Sequence, residues 1–470
     1  MKKLTVIYIA LFVAMLLLPA VAMPFFTDDG ASENRELSEF PDIKKEDGGF
    51  NFDFTSELDL WISEHIGFRR KMVEANSRWQ AAIFGKSSED SVIVGRDGWL
   101  FYAETEADYL NAATLSTRNI QNIVRTLELM QEYAESHGAT FTAAIVPNKN
   151  TLYGEAMPYY YLPLHEDGNL ELLEAALAGS NVNYADIRAA FSETDEVLYQ
   201  KLDSHWDYRG ALLGYRTIME KTGRPYEKFD GLTFEARTDW RGDLSVMLYS
   251  DAASPDVQYY PEYEFGHRFV SHEKNEEAIT LKTANQDGTG VLFMFRDSFC
   301  NTMRVYFSEN FAEATFSRAY PFRMDRAADS GADVCVLEIV ERNLPNLAKR
   351  APVMEAPEAV ISAEARALPE GAVTVEKRTQ EGYLHIYGVV DGSYLGDSYR
   401  AYILVSGGGK SAAYEAFPIF EQELLGADTL GDNGFSAYLD GGLIGDADSM
   451  RIIVAVGDTF YISGEHNIAE

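Results

Sequence analysis

Apolar runs that alternate with helical segments constrain this chain more than any other feature of its sequence. Residues 139–146, 290–295 and 334–340 are almost entirely apolar, as strands buried on both faces of a sheet are. Residues 118–136 repeat apolar side chains at three- and four-residue spacing, which predicts a helix. Further helices are predicted at residues 170–177, 208–222, 301–311 and 323–328, and a further strand at 182–187. This alternation predicts a mainly parallel α/β sheet with helices on both faces.

The predicted α/β domain occupies residues 53–350, with additions at its start and in its middle. Residues 56–84 are predicted to be helical, and Asp97-Gly98 predicts a tight turn between two short strands. Residues 225–287 interrupt the alternation, and we expect them to form an irregular or β-rich insertion.

The character of the chain changes after residue 350. Residues 351–367 are rich in Ala, Pro and Glu and predict a linker. Short β-like runs separated by Gly and Asp turns follow at residues 372–376, 383–390, 401–405, 434–439 and 451–456. Residues 361–470 are therefore predicted to form a small antiparallel β-sandwich, to which a carbohydrate-binding role is assigned by analogy alone. A length of 470 residues agrees with two or three domains.

The amino terminus predicts export. Two lysines precede an uncharged run over residues 4–26, which as a helix would span ~34 Å, enough for a hydrocarbon layer of ~30 Å. The positive flank predicts that the rest of the chain lies outside the cytoplasm. Residues 1–26 are predicted to be a signal anchor, which the length of the run favours, or a signal peptide cleaved near the small residues at 20–22. Residues 27–52 are polar and are predicted to be a tether.

Charge and cysteine content exclude several classes of function. The 40 basic and 74 acidic residues give a net charge of −34, which argues against nucleic acid or an anionic lipid surface as the main partner. Cys300 and Cys335 are too few for a disulfide framework or a four-thiolate zinc site. We expect free buried thiols, with a single bridge as the alternative. Metal-ligand spacing, a P-loop and the Rossmann glycine pattern are absent from the sequence, so no metal and no cofactor are predicted.

The strongest chemical signal is a serine that follows the apolar run at 290–295. Arg296-Asp297-Ser298 forms a short polar turn, just before a predicted helix. In open α/β sheets, reactive groups lie beyond the carboxyl ends of the strands. Backbone N–H groups and the start of a helix can stabilise a developing oxyanion there. The alternative is that Ser298 or Asp297 only caps the helix.

A second signal supplies the partners that a nucleophilic serine needs. Asp203-Ser204-His205-Trp206 places an acid two residues before a histidine, just ahead of the helix predicted at 208–222. A serine hydroxyl needs a base that removes its proton, and the base needs a partner that fixes its tautomer. An Asp-x-His turn can supply both groups, although a capping aspartate and a surface histidine are the alternative.

Together these segments resemble the DHHW-type proteins, in the alginate O-acetyltransferase-like branch of the SGNH hydrolase superfamily. The resemblance covers residues 30–345 and is carried mainly by the motifs at 203–206 and 296–299. Other segments that fit it are Glu33-Asn34-Arg35, residues 95–102, Val146-Pro147-Asn148-Lys149, Gly242-Asp243-Leu244 and Glu341-Arg342. The order of Asp-His before Ser is that of this branch and opposite to that of ordinary SGNH esterases.

The resemblance implies an SGNH-like, flavodoxin-like fold and a role for each motif residue. Ser298 would be the acyl-accepting nucleophile and an oxyanion donor through its N–H, His205 the general base and acid, and Asp203 its orienting partner. Substrate-binding or oxyanion roles are also predicted for Asn148, Lys149, Trp206, Tyr208 and Arg296. The sequence departs from the family at Arg296, where a glycine is common, and at Ser204, where the family has histidine.

The additional residues also have ordinary structural interpretations. Asn148 and Lys149 would then lie in a solvated loop. Trp206 and Tyr208 would pack against the protein beside the motif at 203–206. Glu341 and Arg342, after the last strand of the α/β region, are interpreted as a structural ion pair.

The leading hypothesis from the sequence is an exported O-acyltransferase that moves acetyl groups onto hydroxyls of a cell-envelope or secreted polysaccharide. Because acetyl-CoA is absent outside the membrane, the resemblance implies a membrane-bound O-acyltransferase as the acetyl donor. A carbohydrate esterase with the same residues is the alternative enzyme, and a non-catalytic glycan-binding or scaffold protein is the alternative of another class. The predicted location is extracytoplasmic, either anchored to the cytoplasmic membrane or secreted.

Overall fold

The computed structural model describes residues 2–25, 38–45, 49–84, 86–249, 253–442 and 447–468. Much of the predicted tether lies outside these residues, and so do Phe26 at the end of the apolar run and the resemblance-bearing Glu33-Asn34-Arg35.

Helices form at the positions that the apolar periodicity predicts. The described helices are α1 (Lys2–Ala22), α2 (Phe54–His65), α3 (Arg69–Phe84), α4 (Glu106–Tyr109), α5 (Thr117–Ser136), α6 (Lys149–Leu152), α7 (Asn169–Leu177), α8 (Ile187–Ser192), α9 (Tyr208–Thr222), α10 (Asp243–Tyr249), α11 (Cys300–Asn310), α12 (Met324–Asp329) and α13 (Asn346–Lys349). The single helix predicted at 56–84 is wrong. Phe68 has a φ of 62°, outside the helical region, and separates α2 from α3.

Most of the predicted strands are present, and the structure contains several more. The described strands are β1 (Val92–Val94), β2 (Leu100–Tyr102), β3 (Thr140–Val146), β4 (Tyr184–Ala185), β5 (Phe234–Trp240), β6 (Asp256–Pro261), β7 (Arg268–Phe269), β8 (Thr280–Ala284), β9 (Val291–Phe295), β10 (Glu313–Ser317), β11 (Val334–Val340), β12 (Glu358–Ala359), β13 (Ala365–Ala367), β14 (Val373–Gln380), β15 (Tyr383–Val390), β16 (Arg400–Gly407), β17 (Lys410–Ala416), β18 (Gly434–Asp440), β19 (Ser449–Val456), β20 (Thr459–Ile462) and β21 (His466–Asn467). Asp97 and Gly98 both have positive φ and form the predicted turn between β1 and β2. The strand predicted at 182–187 is reduced to two residues, because the Asp186 side chain already caps α8.

A mainly parallel sheet forms the centre of the molecule, as predicted. Its strand order is β4-β3-β11-β9-β10-β8-β7. The first five of these strands run parallel, and β8 and β7 add an antiparallel edge. The region from 225 to 287 is therefore only partly an insertion, because its last strands extend the central sheet, whereas β5 and β6 pair as a separate ribbon.

Apolar clusters cover both faces of this sheet. One face packs against α5, α7 and α12, and the other packs against α8, α9 and α11. Cys335 lies in the first cluster and Cys300 in the second, and both are free buried thiols as predicted. Burial on both faces explains why the central strands are apolar along their whole length.

The C-terminal part is the predicted small β-sandwich. One sheet has the order β12-β17-β16-β19-β20-β13, with β21 paired to β19, and the other has the order β14-β15-β18. Apolar side chains from both sheets, including Ile386, Ile403 and Phe435, form one buried cluster. Most strand pairs are antiparallel, and β13 with β20 is a parallel pair.

The linker predicted at 351–367 is wrong in its first half. Ala351 and Met354 are fully buried in the cluster beneath α5, because the sandwich packs directly against the α/β part. Arg125 of α5 donates to Glu415 of the sandwich over 2.9 Å, and both side chains are nearly inaccessible to solvent. The two parts therefore share an interface that excludes water.

At the amino terminus, α1 has the length and composition of a membrane-spanning helix. The 19 residues Leu4–Ala22 have a mean hydropathy of 2.6, and nearly all of them are exposed, although Ala22 at the end of the stretch is buried. A signal sequence has the same features.

Candidate active site

The carboxyl ends of three adjacent strands bring the predicted site residues to one edge of the central sheet. β3, β11 and β9 are neighbours and run parallel, so that their ends lie side by side. Asn148 follows β3, Arg342 follows β11 and Ser298 follows β9. This is the edge at which open α/β sheets bind ligands.

Ser298, His205 and Asp203 form one continuous chain of hydrogen bonds at this edge. His205 Nε2 lies 2.8 Å from Ser298 Oγ. His205 Nδ1 lies 2.7 Å from Asp203 Oδ1. Asp203 is buried, whereas His205 and Ser298 are partly exposed. The structure thus brings together the two distant segments that carry the predicted nucleophile, base and orienting acid.

Asp297, and not Ser298, braces the turn before α11. Its Oδ1 accepts the Phe299 N–H over 2.9 Å, and its Oδ2 accepts the Val340 N–H over 2.7 Å. The Ser298 hydroxyl remains directed at His205. Of the two residues that could cap the helix, Asp297 therefore holds the backbone, and the Ser298 hydroxyl contacts His205 instead.

The backbone of Ser298 offers a donor to a developing oxyanion. Among the residues that the structure describes, none accepts the Ser298 N–H. The helix α11 begins two residues later and runs for 11 residues, so its positive end faces the same region. A free N–H beside a helix start is the arrangement that stabilises tetrahedral intermediates.

Burial and charge act in opposite directions on the two titratable residues. Burial raises the pKa of Asp203, but the hydrogen bond and charge of His205 outweigh it and hold that pKa below its usual value. Burial lowers the pKa of His205, but the Asp203 hydrogen bond and charge raise it above its usual value. Asp203 is therefore an acceptor for the Nδ1–H, which leaves Nε2 free to accept the proton of Ser298.

Lys149 and Asn148 lie at this edge, but both are buried. The Lys149 ammonium donates to three backbone carbonyl oxygens, those of Leu100, Lys201 and Asp203, over 2.7–2.9 Å. All three of its donors are used, so the predicted substrate-binding role of Lys149 is wrong, and so is the alternative of a solvated loop. Asn148 donates from Nδ2 to an Asp108 carboxylate oxygen, and its oxyanion role stays a prediction.

Trp206 and Arg296 are buried and form their hydrogen bonds within the protein. Trp206 is fully buried and its Nε1–H donates to the Phe299 carbonyl oxygen over 3.0 Å, so the sugar-stacking interpretation is wrong. Arg296 is 4% exposed, and its guanidinium donates to Asn301 and to the Glu276 and Ala278 carbonyl oxygens. The predicted oxyanion role of Arg296 is therefore wrong as well.

Tyr208 is the one predicted aromatic contact that remains accessible at the surface. It lines an open cleft of about 370 Å³ with Tyr260, Tyr263 and Phe265. The Tyr208 and Tyr260 ring centroids are 5.9 Å apart. Its contact with a sugar stays a prediction.

The interpretation of Glu341 and Arg342 as an ion pair is wrong. Glu341 is buried and accepts the Asn148 N–H and the Thr151 hydroxyl over 2.7 and 2.6 Å. Burial, only partly offset by these bonds, raises the pKa of Glu341 to about 8. The Arg342 guanidinium instead lies over the Phe299 ring, 5.8 Å from its centroid, and its charge acts on the pKa of His205.

Two residues of the site were missed by sequence reasoning. Trp240 donates from Nε1 to Asp203 Oδ2 over 2.9 Å, and the Asp243 N–H donates to the same oxygen over 3.1 Å. Gly242-Asp243-Leu244 is among the segments that fit the family resemblance. Nothing in the sequence around it indicated that Asp243 would lie beside Asp203.

A metal centre is not needed to explain the acidic residues around His205. Asp203, His205 and Asp243 have ligand atoms within 4.8 Å of one another. Both Asp203 oxygens already accept N–H donors, and the Asp243 oxygens accept the Ser204 N–H and hydroxyl. These hydrogen bonds account for the closeness of the three residues.

Comparison with known sequences agrees with the motifs. Residues 92–286 match the family model described as "SGNH hydrolase-like domain, acetyltransferase AlgX", a range that contains Asp203 and His205 and ends before Ser298. The chain is 26% identical over 150 residues to the protein named "Probable alginate O-acetylase AlgJ" of Pseudomonas putida. That match covers 31% of this chain and 38% of the relative, well short of two thirds of the relative's length.

This chain is also similar to several solved structures, at low sequence identity. A DHHW family protein from Eubacterium siraeum is 16% identical with a TM-score of 0.41, over 55% of this chain and 93% of that chain. The O-acetyltransferase domain of Pseudomonas putida AlgJ is 20% identical with a TM-score of 0.36, over 54% and 92%. Bacillus cereus PatB1 is 15% identical with a TM-score of 0.42, over 54% and 96%. By sequence, residues 92–286 of this chain are similar to the SGNH hydrolase-like domain of the acetyltransferase AlgX family, in agreement with the resemblance in its motifs.

Proposed function

We propose that this protein is an O-acyltransferase in which Ser298 takes an acetyl group and passes it to a sugar hydroxyl. The observation that carries the proposal is the pair of contacts at His205, 2.8 Å from Nε2 to Ser298 Oγ and 2.7 Å from Nδ1 to Asp203 Oδ1. A base so placed and so oriented is what converts a serine hydroxyl into a nucleophile.

In the first half-reaction, His205 Nε2 accepts the proton of Ser298 while Oγ attacks the acetyl carbonyl carbon. The carbonyl oxygen becomes an oxyanion, which the Ser298 N–H and the start of α11 stabilise. The carbon–oxygen or carbon–sulfur bond to the donor then breaks, and the imidazolium returns its proton to the leaving group. Asp203 stabilises the imidazolium throughout.

In the second half-reaction, a sugar hydroxyl takes the place of the donor. His205 Nε2 removes its proton, the oxygen attacks the acetyl-serine carbonyl carbon, and the bond to Ser298 Oγ breaks as Oγ regains a proton. The product is an acetylated sugar and free enzyme. Water as the attacking group gives acetate instead, which makes the same site a carbohydrate esterase.

The acceptor and the location are part of the same proposal. The similarity to a protein named as an alginate O-acetylase supports a polysaccharide acceptor. The apolar α1 supports a location outside the cytoplasm, with the chain anchored to the membrane or secreted. A membrane-bound O-acyltransferase would supply the acetyl group there, because acetyl-CoA is confined to the cytoplasm.

The test incubates the full chain with a chromogenic acetyl ester and a panel of oligosaccharides, followed by mass spectrometry of the sugars. Ser298→Ala and His205→Ala are compared with the exposed control variants Ser192→Ala and His137→Ala. We expect acetylated sugar from wild type and controls and none from the two site variants. Free acetate without acetylated sugar would identify an esterase, and equal turnover by all five proteins would favour the non-catalytic alternative.

A further inference from the structure

A second carboxylate approaches the ring nitrogen of His205 that already binds Asp203. This carboxylate belongs to Asp243, the first residue of α10. The distance to His205 Nδ1 is 3.6 Å from Asp243 Oδ2 and 2.7 Å from Asp203 Oδ1. Asp243 comes from the segment between α9 and β9, far in sequence from both the His205 turn and Ser298. Two acids from separate segments therefore face one imidazole nitrogen.

Ser204 connects the second acid to the imidazole. Its hydroxyl donates to Asp243 Oδ2 over 2.5 Å and lies 3.2 Å from His205 Nδ1. Its N–H donates to Asp243 Oδ1 over 2.7 Å. Ser204 is the position where the resembling family has histidine, and here it presents a hydroxyl that bridges Asp243 and His205.

The backbone around Asp243 also holds the first acid in place. The Asp243 N–H donates to Asp203 Oδ2 over 3.1 Å. A Cβ at Gly242 would lie 2.3 Å from the Leu202 carbonyl oxygen, so only glycine allows the two segments to approach this closely. Asp203 and Asp243 are thus fixed relative to each other through main-chain contacts.

The charged residues around the imidazole and its turn come from five segments. Asp203 and Asp243 are the negative groups that act on it, and Arg342, over the Phe299 ring, is the positive one. The Lys149 ammonium lies behind the turn, at the Asp203 carbonyl oxygen. Asp256 braces the same turn by accepting the Leu202 N–H over 2.6 Å.

We propose that Asp243 is a positioning residue that shares the stabilisation of the His205 imidazolium with Asp203, acting through Ser204. This inference rests on the proposed function, because it assigns Asp243 to the same proton transfer. An additional negative charge near Nδ1 favours the protonated ring, and so makes His205 a stronger base toward Ser298. Asp243 does not contact the acyl group.

The test measures the ionisation of His205 directly as well as the reactivity of Ser298. The imidazole of His205 is titrated by NMR in the histidine-labelled full chain, with its signal assigned from His205→Ala. In parallel, the rate at which a sulfonyl fluoride labels Ser298 is followed against pH by mass spectrometry. Asp243→Asn is compared with Asp256→Asn, which removes a carboxylate that braces the same turn without facing the ring. Asp243→Ser, with an uncharged oxygen for the Ser204 N–H, is the second variant.

We expect both Asp243 variants to lower the His205 titration midpoint by about one pH unit, a tenfold change in proton affinity. The acid limb of Ser298 labelling should move by the same amount, and Asp256→Asn should leave both midpoints at the wild-type value. Unchanged midpoints in folded Asp243→Asn or Asp243→Ser, or an equal shift in Asp256→Asn, would overturn the proposal. Wild-type Ser298 that is never labelled would contradict the proposed function, while the NMR titration would still decide the role of Asp243.

Discussion

The ammonium group of Lys149 donates a hydrogen bond of 2.8 Å to the backbone carbonyl oxygen of Asp203, directly behind the His205 turn. The same group also bonds the carbonyl oxygens of Leu100 and Lys201. A buried lysine side chain therefore joins the β2 hairpin, the start of α6 and the turn that carries the candidate base. The position of that turn depends on a residue with no contact to the ring.

Replacement of Lys149 by methionine should destabilise the protein and impair turnover together. The buried carbonyl oxygens of Leu100 and Asp203 and the partly buried one of Lys201 would each lose a donor, so we expect the free energy of unfolding to fall by about 3 kcal/mol in urea denaturation. Lys201→Met, at a partly exposed lysine beside it, is the control and should change stability by less than about 0.5 kcal/mol. Equal stability of the two variants would contradict the role of Lys149.

Glu341→Gln should stabilise the protein in a pH-dependent way. Burial raises the pKa of Glu341 to about 8 in the folded state, against an ordinary value of 4.5. Between these values the folded state binds more protons than the unfolded state, so this residue makes stability fall as pH rises. We expect the glutamine variant to gain about 3.5 kcal/mol over wild type between pH 5 and pH 8. Denaturation at both pH values measures this, and the exposed Glu155→Gln should show no such gain.

The acid limb of the pH–rate profile should lie above pH 6.5. Asp203 raises the pKa of His205 above its ordinary value of 6.5, and only the neutral ring accepts the Ser298 proton. Asp203→Asn should lower that limb and reduce kcat by about 10³-fold or more, since the imidazolium loses its nearest negative charge. Hydrolysis of a chromogenic ester from pH 5 to 9 measures both effects. A variant limb at the wild-type pH would contradict this assignment of the base.

Two tryptophans near Asp203 should have separable effects. Trp206→Phe removes a buried indole and its bond to the Phe299 carbonyl oxygen, so the free energy of unfolding should fall by about 2 kcal/mol. Trp240→Phe removes a donor to Asp203 Oδ2 at a partly exposed site, so we expect roughly tenfold lower kcat with less than about 1 kcal/mol of destabilisation. Thermal unfolding and ester hydrolysis separate the two, and a reversed pattern would contradict these roles.

Arg342→Gln should move the acid limb in the direction opposite to Asp203→Asn. The guanidinium lowers the pKa of His205 through its charge, so its loss should raise the limb by a fraction of a pH unit. Arg350→Gln, at an arginine that lies over the Tyr320 ring, is a matched control with no expected effect on the limb. A limb that falls in Arg342→Gln would show that the arginine acts on the site by another route.

Much of the fold could be predicted because the sequence encodes burial locally. The apolar run that became β9 has no polar residue, and α9 begins and ends at the predicted residues. β10 was missed because it has only five residues and mixes charged and polar side chains with apolar ones. The burial of Ala351 escaped prediction because the sandwich that covers it lies elsewhere in the sequence.

The candidate site could be predicted only in part, for the same reason. Asp203 and His205 lie in one turn, so their pairing is a local property of the chain. The burial of Trp206 and of Lys149 depends on neighbours from other segments, and both residues were assigned to a ligand instead of to packing.

The sequence by itself determined which segments become strands, which turn carries an acid beside a histidine, and that a serine follows a buried strand. Only the tertiary structure decided that β11 lies between β3 and β9, that His205 reaches Ser298, and that Asp243 joins them. The physical reason is that hydrophobic periodicity records how far each residue is buried, but not against which residue. Contacts between distant segments follow from the packing of the whole sheet and its helices, which no single stretch of sequence contains.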